Sequence, residues 1–127
     1  MQVFKTKWLA RFAKHEGIAD VSLHEAIARV ERGLVDADLG GGLIKQRVAR
    51  RGRGRSGGYR MLIAYRLKKR AVFLYGFAKN ERANISADEL LTAREIASCW
   101  LAADAKQIAH ALAEGELQEV LNDKEKA

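Results

Sequence analysis

The chain has 127 residues and a net charge of +7 at neutral pH, which fits one domain, residues 1–127, with a modest core. Its longest apolar run, residues 71–78, is too short to span a bilayer, and no apolar signal segment stands near the N-terminus. Cys99 is the only cysteine and cannot form an internal disulfide, so we expect a cytoplasmic protein with no membrane partner.

The first 35 residues predict one short strand and two helices. Residues 2–5 form the candidate strand, and Thr6 can cap a helix that ends at Gly17. Ser22 and Glu25 have the spacing of a capping box for a second helix, antiparallel to the first. Its apolar face would be formed by Leu23, Ala26, Ile27, Val30 and Leu34.

In the middle of the chain, apolar and polar residues begin to alternate with a period of two. After a predicted loop over residues 36–42, Lys45 and Arg47 alternate with Ile44 and Val48, which predicts a strand with a basic outer face.

Two further strands follow a loop rich in Arg and Gly at residues 49–58. Residues 59–67 place Arg60 on the same side as Leu62, and residues 67–70 form a turn. Residues 71–77 are apolar on both faces and therefore predict a central strand. Because the links are short, we expect an antiparallel meander.

The C-terminal third is predicted to be helical. Ser86 and Glu89 form a second capping box. Asp104 either lies within one long helix or breaks it and caps another over residues 105–114, before Gly115. Leu117, Val120 and Leu121 then suggest a last short turn.

Positive charge is concentrated in the middle third. Thirteen of the 23 Lys and Arg residues lie between Lys45 and Arg82, with Glu81 as the one acid, so this segment carries +12. Residues 1–44 have no net charge, and residues 83–127 carry −5. A local anionic partner is therefore expected, with nucleic acid favoured over an anionic membrane surface or an acidic protein.

A glycine motif in this segment is misleading. Residues 52–57 match G-x-G-x-x-G, but a dinucleotide site needs a strand before the motif and a helix after it, and here a strand follows. The neighbouring arginines suit phosphate contact through their guanidinium groups, while the alternative is a solvated loop that aids solubility. These arginines are Arg50, Arg51, Arg53 and Arg55.

Two other basic positions have fixed places in the predicted sheet. Arg60 lies within a strand, so it either serves chemistry or forms a structural ion pair with an acid such as Asp36, Asp38 or Glu81. Lys79 and Arg82 follow the central strand, where the alternative is a loop with a local ion pair. Trp8 and Phe12 are predicted core residues, and the three histidines have no metal-ligand spacing.

These elements and phrases together resemble a known family. Two N-terminal helices precede LIKQRVARRGRGRSGGYRMLIAYR, then VFLYGFAKNERANIS and a capped helix. The order is similar to that of the RelE/ParE superfamily of toxin–antitoxin toxins, in its RelE-type and HigB-like branch. The resemblance covers roughly residues 2–103 and the GELQEV phrase at 115–120, with residues 104–127 as an extra helical extension.

The resemblance implies a compact α+β fold in which two N-terminal helices and one or more C-terminal helices pack on a small antiparallel sheet. It implies an mRNA interferase, an endoribonuclease that inhibits translation and needs no metal or other cofactor. In such enzymes the 2′-hydroxyl of the RNA attacks the adjacent phosphate, usually in mRNA on the ribosome. The implied partners are mRNA, the ribosome and a cognate antitoxin.

Carried onto this sequence, the resemblance assigns catalytic positions to Arg60, Lys79, Arg82 and Lys45. Arg60 matches the arginine of a G-x-Y-R phrase and would stabilise charge on the phosphate, whereas Lys45 would hold phosphate or help deprotonate the 2′-hydroxyl. RNA contacts are implied for Arg47, Arg50, Arg51, Arg53, Arg55 and Tyr59.

One departure from the family leaves other functions open. Relatives commonly carry a Tyr or His shortly after the last strand, but residues 83–87 contain neither, so Tyr59, Lys79 or Glu81 would have to take that role. The alternatives are a ParE-type toxin that binds DNA gyrase without cutting RNA, and a plain RNA- or DNA-binding module.

Overall fold

The computed structural model describes residues 1–49, 58–79, 81 and 84–121. Within these ranges, no helix has both the length and the apolar character needed to cross a membrane. The described elements are four helices and six strands, in the order β1 (Gln2–Thr6), α1 (Lys7–Glu16), α2 (Asp20–Glu31), β2 (Ala37–Gly40), β3 (Leu43–Val48), β4 (Tyr59–Arg66), β5 (Arg70–Ala78), α3 (Ala87–Ala102), α4 (Ala105–Ala113) and β6 (Leu117–Glu119).

The six strands form one sheet in the order β2-β3-β4-β5-β1-β6. Strands β3 to β5 are the predicted antiparallel meander, β2 extends it by one strand, and β5 is an interior strand as predicted. The N-terminal strand β1 is parallel to β5, and β6 pairs antiparallel with β1. The α+β class is therefore confirmed, with one parallel pair added to an otherwise antiparallel sheet.

Alternation along the strands divides the core into two halves. On one face of the sheet, Met61 and Phe73 pack with Leu9 of α1 and with Leu23 and Ile27 of α2, and all five are at most 1% exposed. On the opposite face, the sheet packs against α3 and α4 through a second buried cluster. Its members include Phe4, Leu43, Leu62, Val72, Ala97, Leu101 and Ile108.

The start of α2 differs from its prediction. The helix begins at Asp20 with Ala19 as its N-cap, and the N–H of Ser22 donates to the Ala19 carbonyl, so the predicted capping box at Ser22 is wrong. Asp20 is held by contacts to distant parts of the chain, which set the helix start without a side-chain cap. Leu34 is 57% exposed because the helix ends before Gly33, whose φ is +82°.

Two segments predicted as irregular form strands. Residues 37–40 pair with β3 as one arm of a hairpin, although the sequence predicted a loop over 36–42. Leu117–Glu119 pairs with β1 and forms β6, where a short helical turn was predicted. Both strands are short, with four and three residues, so a sequence pattern of period two has too few positions to identify them.

The predicted helix caps in the remaining chain are confirmed. Thr6 accepts a hydrogen bond from the Leu9 N–H, and Gly17 ends α1 at a φ of +70°. Ser86 and Glu89 form the expected capping box of α3. Asp104 forms another with Gln107, so the region 87–113 contains two helices rather than one.

Candidate nucleic-acid interface

The predicted basic strand positions lie side by side on the face of the sheet that α3 covers in part. In register across three strands, Arg47 of β3 lies beside Arg60 of β4, which lies beside Phe77 of β5. The next row toward α3 contains Lys45, Leu62 and Tyr75. Directly opposed side chains in such pairs have Cβ atoms about 5 Å apart, so the two guanidinium groups repel one another and favour a bound anion.

Each of the two arginines has a buried guanidinium nitrogen. Arg47 Nε and Arg60 Nη1 are shielded from solvent and have no hydrogen-bond partner among the described residues. In the described part of the chain, Arg60 forms no ion pair with Asp36, Asp38 or Glu81, and the ion pairs there are Lys5–Asp20 and His15–Glu16. The ion-pair interpretation of Arg60 is therefore not supported, and an anion that accepts from both guanidinium groups would satisfy these donors.

The backbone under Arg47 is fixed from the opposite side of the sheet. Its N–H donates to Asp36 Oδ2 at 2.6 Å, and its carbonyl accepts from the guanidinium of Arg29. The adjacent Gln46, which is fully buried, donates to the Leu34 carbonyl and accepts from the Asp36 N–H. Asp36 thus positions the strand that carries Arg47 instead of neutralising Arg60.

The two lysines flank this arginine pair. Lys45 is half-buried on the same face as Arg47, two residues and therefore about 6.6 Å along the strand. Lys79 follows the end of β5, where its N–H donates to the Gly58 carbonyl at 3.2 Å and its side chain is exposed. Two residues beyond Phe77, it stands diagonally from Arg60, within reach for a long side chain.

Two other arginines of the middle segment make structural hydrogen bonds instead of lying free beside Arg47 and Arg60. Arg66 donates to the Leu101 carbonyl, and Arg70 Nη1 donates to the Trp100 and Ala103 carbonyls. These arginines satisfy carbonyls at the C-terminal end of α3, where a positive charge is favourable. The candidate anion-binding part of the described segment is therefore its other end, around Arg47 and Arg60.

Tyr59 does not join the other predicted residues. It is fully buried on the opposite face, its ring lies edge-on to Phe12 at 5.7 Å, and its hydroxyl donates to Glu16 Oε1 at 3.1 Å. This placement corrects the prediction that Tyr59 contacts RNA. The remaining predicted residues, Arg50, Arg51, Arg53, Arg55 and Arg82, lie outside the described residues.

Aromatic side chains lie beside the arginines. The strand pattern offers Tyr75 and Phe77 as possible base-stacking residues, with the core as the alternative, whereas the helical spacing assigns Trp8 to the core. Trp8 packs on Tyr75 with ring centroids 4.4 Å apart, and Tyr75 lies 6.4 Å from Phe77. Trp8 is 45% exposed, so its assignment to the core is wrong. Its place next to Leu9 along the helix, off the buried stripe, is the sequence signal that could have shown this.

Tertiary structure brings Trp8 to this position. β1 pairs with β5 only as far as Phe73, and the Thr6 hydroxyl donates to the Leu74 carbonyl at 3.0 Å. The chain then turns into α1, which runs beside the last residues of β5. In the described ranges, no cluster of three or more His, Cys, Asp or Glu side chains has a metal-binding arrangement.

The fold and the candidate site define a class: a small basic α+β protein with paired arginines beside aromatic side chains on one face of its sheet. The chain belongs to the RelE toxin family of RelE/RelB toxin–antitoxin systems, since the model of that family matches residues 1–120. Among curated proteins, none matches the chain. Membership confirms the family resemblance and implies a cognate antitoxin partner.

Proposed function

We propose that this toxin is an endoribonuclease that cuts mRNA during translation on the ribosome. The observation that carries the proposal is the in-register pair Arg47 and Arg60. Each has a buried guanidinium nitrogen that has no hydrogen-bond partner among the described residues. Preorganised cations aimed at a phosphate stabilise the charge that develops on its non-bridging oxygens in the transition state.

The reaction needs no group beyond RNA and protein side chains. The 2′-oxygen attacks the adjacent phosphorus, the bond from phosphorus to the 5′-oxygen breaks, and a cyclic phosphate and a free 5′-hydroxyl result. One side chain takes the 2′-hydroxyl proton and another returns a proton to the leaving oxygen. Lys45 and Lys79, on either side of the arginine pair, are the proposed proton-transfer groups, while Arg82 and the arginines of residues 50–55 are proposed RNA contacts.

The test is induction of the wild type and of Arg60→Ala in a bacterial host, with growth followed and mRNA 5′ ends mapped. Wild type is expected to arrest growth and create new ends within translated frames. Arg60→Ala should cut at least roughly a hundredfold more slowly, because one transition-state contact is lost. Arg11→Ala is the matched control, since it removes the same charge from an exposed position of α1 and should remain toxic.

The other outcomes identify the competing functions. Growth arrest with intact mRNA would contradict the nuclease proposal and favour gyrase inhibition. Arg60→Ala could instead weaken RNA binding alone, with a change of about one unit in the slope of log affinity against log salt concentration. In that case the protein is a plain nucleic-acid-binding module.

A further inference from the structure

A cavity of about 520 Å³ lies between the first turns of α3 and the sheet, next to the arginine pair. Its floor contains Leu62 and Tyr75, Trp8 forms one wall, and Ile96 and Thr92 of α3 form the other. Largely apolar walls with a few polar groups are usual for pockets that bind small flat molecules, and this volume falls in their range.

The position of the cavity relative to Arg60 suggests what it holds. Leu62 and Tyr75 are in register one row away from Arg60 and Phe77, and the rings of Tyr75 and Phe77 are 6.4 Å apart. Base and phosphate of one nucleotide are separated by a sugar, so a phosphate on Arg60 would bring an adjoining base over Tyr75. There Trp8 is 45% exposed, and the part of its ring that Tyr75 and Phe12 leave uncovered offers a stacking surface.

Two carboxylates line the cavity, and they differ in whether they are free to select a base. Glu89 accepts from the Ser86 N–H in the capping box, so its carboxylate is already engaged. Asp88 also lines the cavity and is exposed, with no hydrogen bond or ion pair in the described part of the chain. An ionised carboxylate only accepts hydrogen bonds, so it suits a base edge with adjacent donors.

We propose that this cavity seats an RNA base next to the phosphate held by Arg47 and Arg60, with Trp8 as the stacking surface and Asp88 selecting guanine over uracil. Guanine presents two neighbouring donors, N1–H and the N2 amino group, to such a carboxylate. Uracil presents one donor between two acceptor oxygens, which the carboxylate repels. This inference rests on the proposed RNA substrate and adds a residue that determines its sequence preference.

The experiment measures binding, so it does not require cleavage. Fluorescein-labelled RNA trinucleotides with a central G or U, methylated on every 2′-oxygen, are titrated with the protein at low salt, and anisotropy is recorded. Wild type should bind the G probe roughly tenfold more tightly than the U probe, the discrimination expected of one bidentate contact. Asp88→Asn should remove most of this difference, whereas Glu95→Gln, an exposed acid on the same helix outside the cavity, should preserve it.

Trp8→Leu tests the stacking surface while keeping an apolar side chain on α1. Both probes should bind roughly tenfold more weakly, because stacking on an aromatic ring tolerates either base. Leu91→Ala, which changes an exposed apolar residue of α3 outside the cavity, should have no effect. Thermal denaturation of each variant separates lost binding from lost folding.

The outcomes distinguish the two proposals. If RNA binding depends on Arg60 but not on Trp8 or Asp88, the base pocket is wrong and the RNA site stands. Base-selective binding without new mRNA ends in cells would retain the pocket and contradict the nuclease proposal. If no probe binds, the base pocket is wrong, and the mapping of mRNA ends in cells decides the nuclease proposal by itself. If Trp8→Leu instead weakens only the complex with the cognate antitoxin, the cavity is a protein-docking site and the base pocket is overturned.

Discussion

Gln46 shows how one residue connects the core to the candidate site. It points to the face of the sheet that α1 and α2 cover, where it is fully buried and makes hydrogen bonds to Ala26, Leu34 and Asp36. Its neighbours in sequence, Lys45 and Arg47, point to the other face. The hydrogen bonds of Gln46 therefore help to fix the register of β3. They thereby position Lys45, which was predicted to be catalytic, and Arg47, which was predicted to contact RNA.

Replacing Gln46 with Leu should lower the free energy of unfolding by about 2–4 kcal/mol, because the backbone groups that it satisfies lose their partner in a buried place. Urea denaturation measures this change. Gln118→Leu is the control, since Gln118 is exposed on β6 and its replacement should cost less than about 0.5 kcal/mol. Equal losses for the two variants would show that Gln46 does not anchor β3.

At the scale of elements, the hairpin of β2 and β3 depends on glycine at its turn. Gly42 has a φ of +84°, and its carbonyl accepts from the Tyr65 N–H at 2.8 Å. A Cβ atom at this position would stand 2.6 Å from Leu101 Cδ1 of α3. The turn thus combines a left-handed backbone with a close approach of α3 to the sheet.

Gly42→Ala should destabilise the protein more than Gly33→Ala. Both positions have left-handed backbones, which cost about 1–2 kcal/mol with an alanine, but a Cβ at Gly33 would meet nothing within 4 Å. The contact with Leu101 should add about 1–3 kcal/mol at Gly42 alone. Thermal and urea denaturation of the two variants measure the difference, and equal stabilities would mean that α3 adjusts without cost.

Local signals explain which elements the sequence predicted. β3, β4 and β5 follow one another with short links, and the caps at Thr6, Ser86 and Asp104 need only residues three positions away. The partners of β1 and β6 lie far away in sequence, so their pairing was not predicted. Short strands show too little alternation to identify a distant partner.

The same reasoning separates predicted from missed site residues. Alternation placed Arg60 on the same face as Leu62, and it also places the preceding residue, Tyr59, on the other face, which α1 and α2 bury. The assignment of Tyr59 to RNA binding overlooked this. Trp8 and Tyr75 come together because α1 runs beside β5. This contact between α1 and β5 is tertiary, so the periodicity of neither element predicts it.

At the scale of the whole molecule, Asp20 ties together three distant parts of the chain. Its carboxylate accepts from Lys5 Nζ of β1 at 2.7 Å and from the Leu121 N–H after β6 at 2.9 Å. One turn along α2, His24 Nε2 lies 2.8 Å from the Val120 carbonyl oxygen. Burial opposes ionisation of Asp20, but the hydrogen bonds from Lys5 and Leu121, with the nearby charges of Lys5 and His24, lower the pKa of this carboxyl.

Asp20→Asn should lower stability at neutral pH by about 1 kcal/mol, allowing for solvent screening of a partly exposed pair. Because the folded-state pKa is lowered, this contribution is complete above the ordinary Asp pKa of 3.8 and is lost as the pH falls through the folded-state value. Urea denaturation of both proteins from pH 7 to pH 3 should show the difference shrinking below about pH 4.

Glu95→Gln, on the exposed side of α3, is the control for removing a carboxylate. It should stay within about 0.5 kcal/mol of the wild type at every pH. A difference between Asp20→Asn and wild type that persists unchanged at pH 3 would show that hydrogen-bond geometry, rather than ionisation of Asp20, stabilises this junction.

The place of β1 in the sheet has a consequence for synthesis of the toxin. Its two neighbours are β5, which begins at Arg70, and β6, which begins at Leu117. β1 is synthesised before the other described strands, yet it waits for β6, the last of them in the chain, before both of its edges are paired, whereas the β3–β5 meander needs only nearby residues. A nascent chain can form the pair of Arg47 and Arg60 early, but it completes the sheet around α1 and Trp8 only after residues 117–119 have been translated.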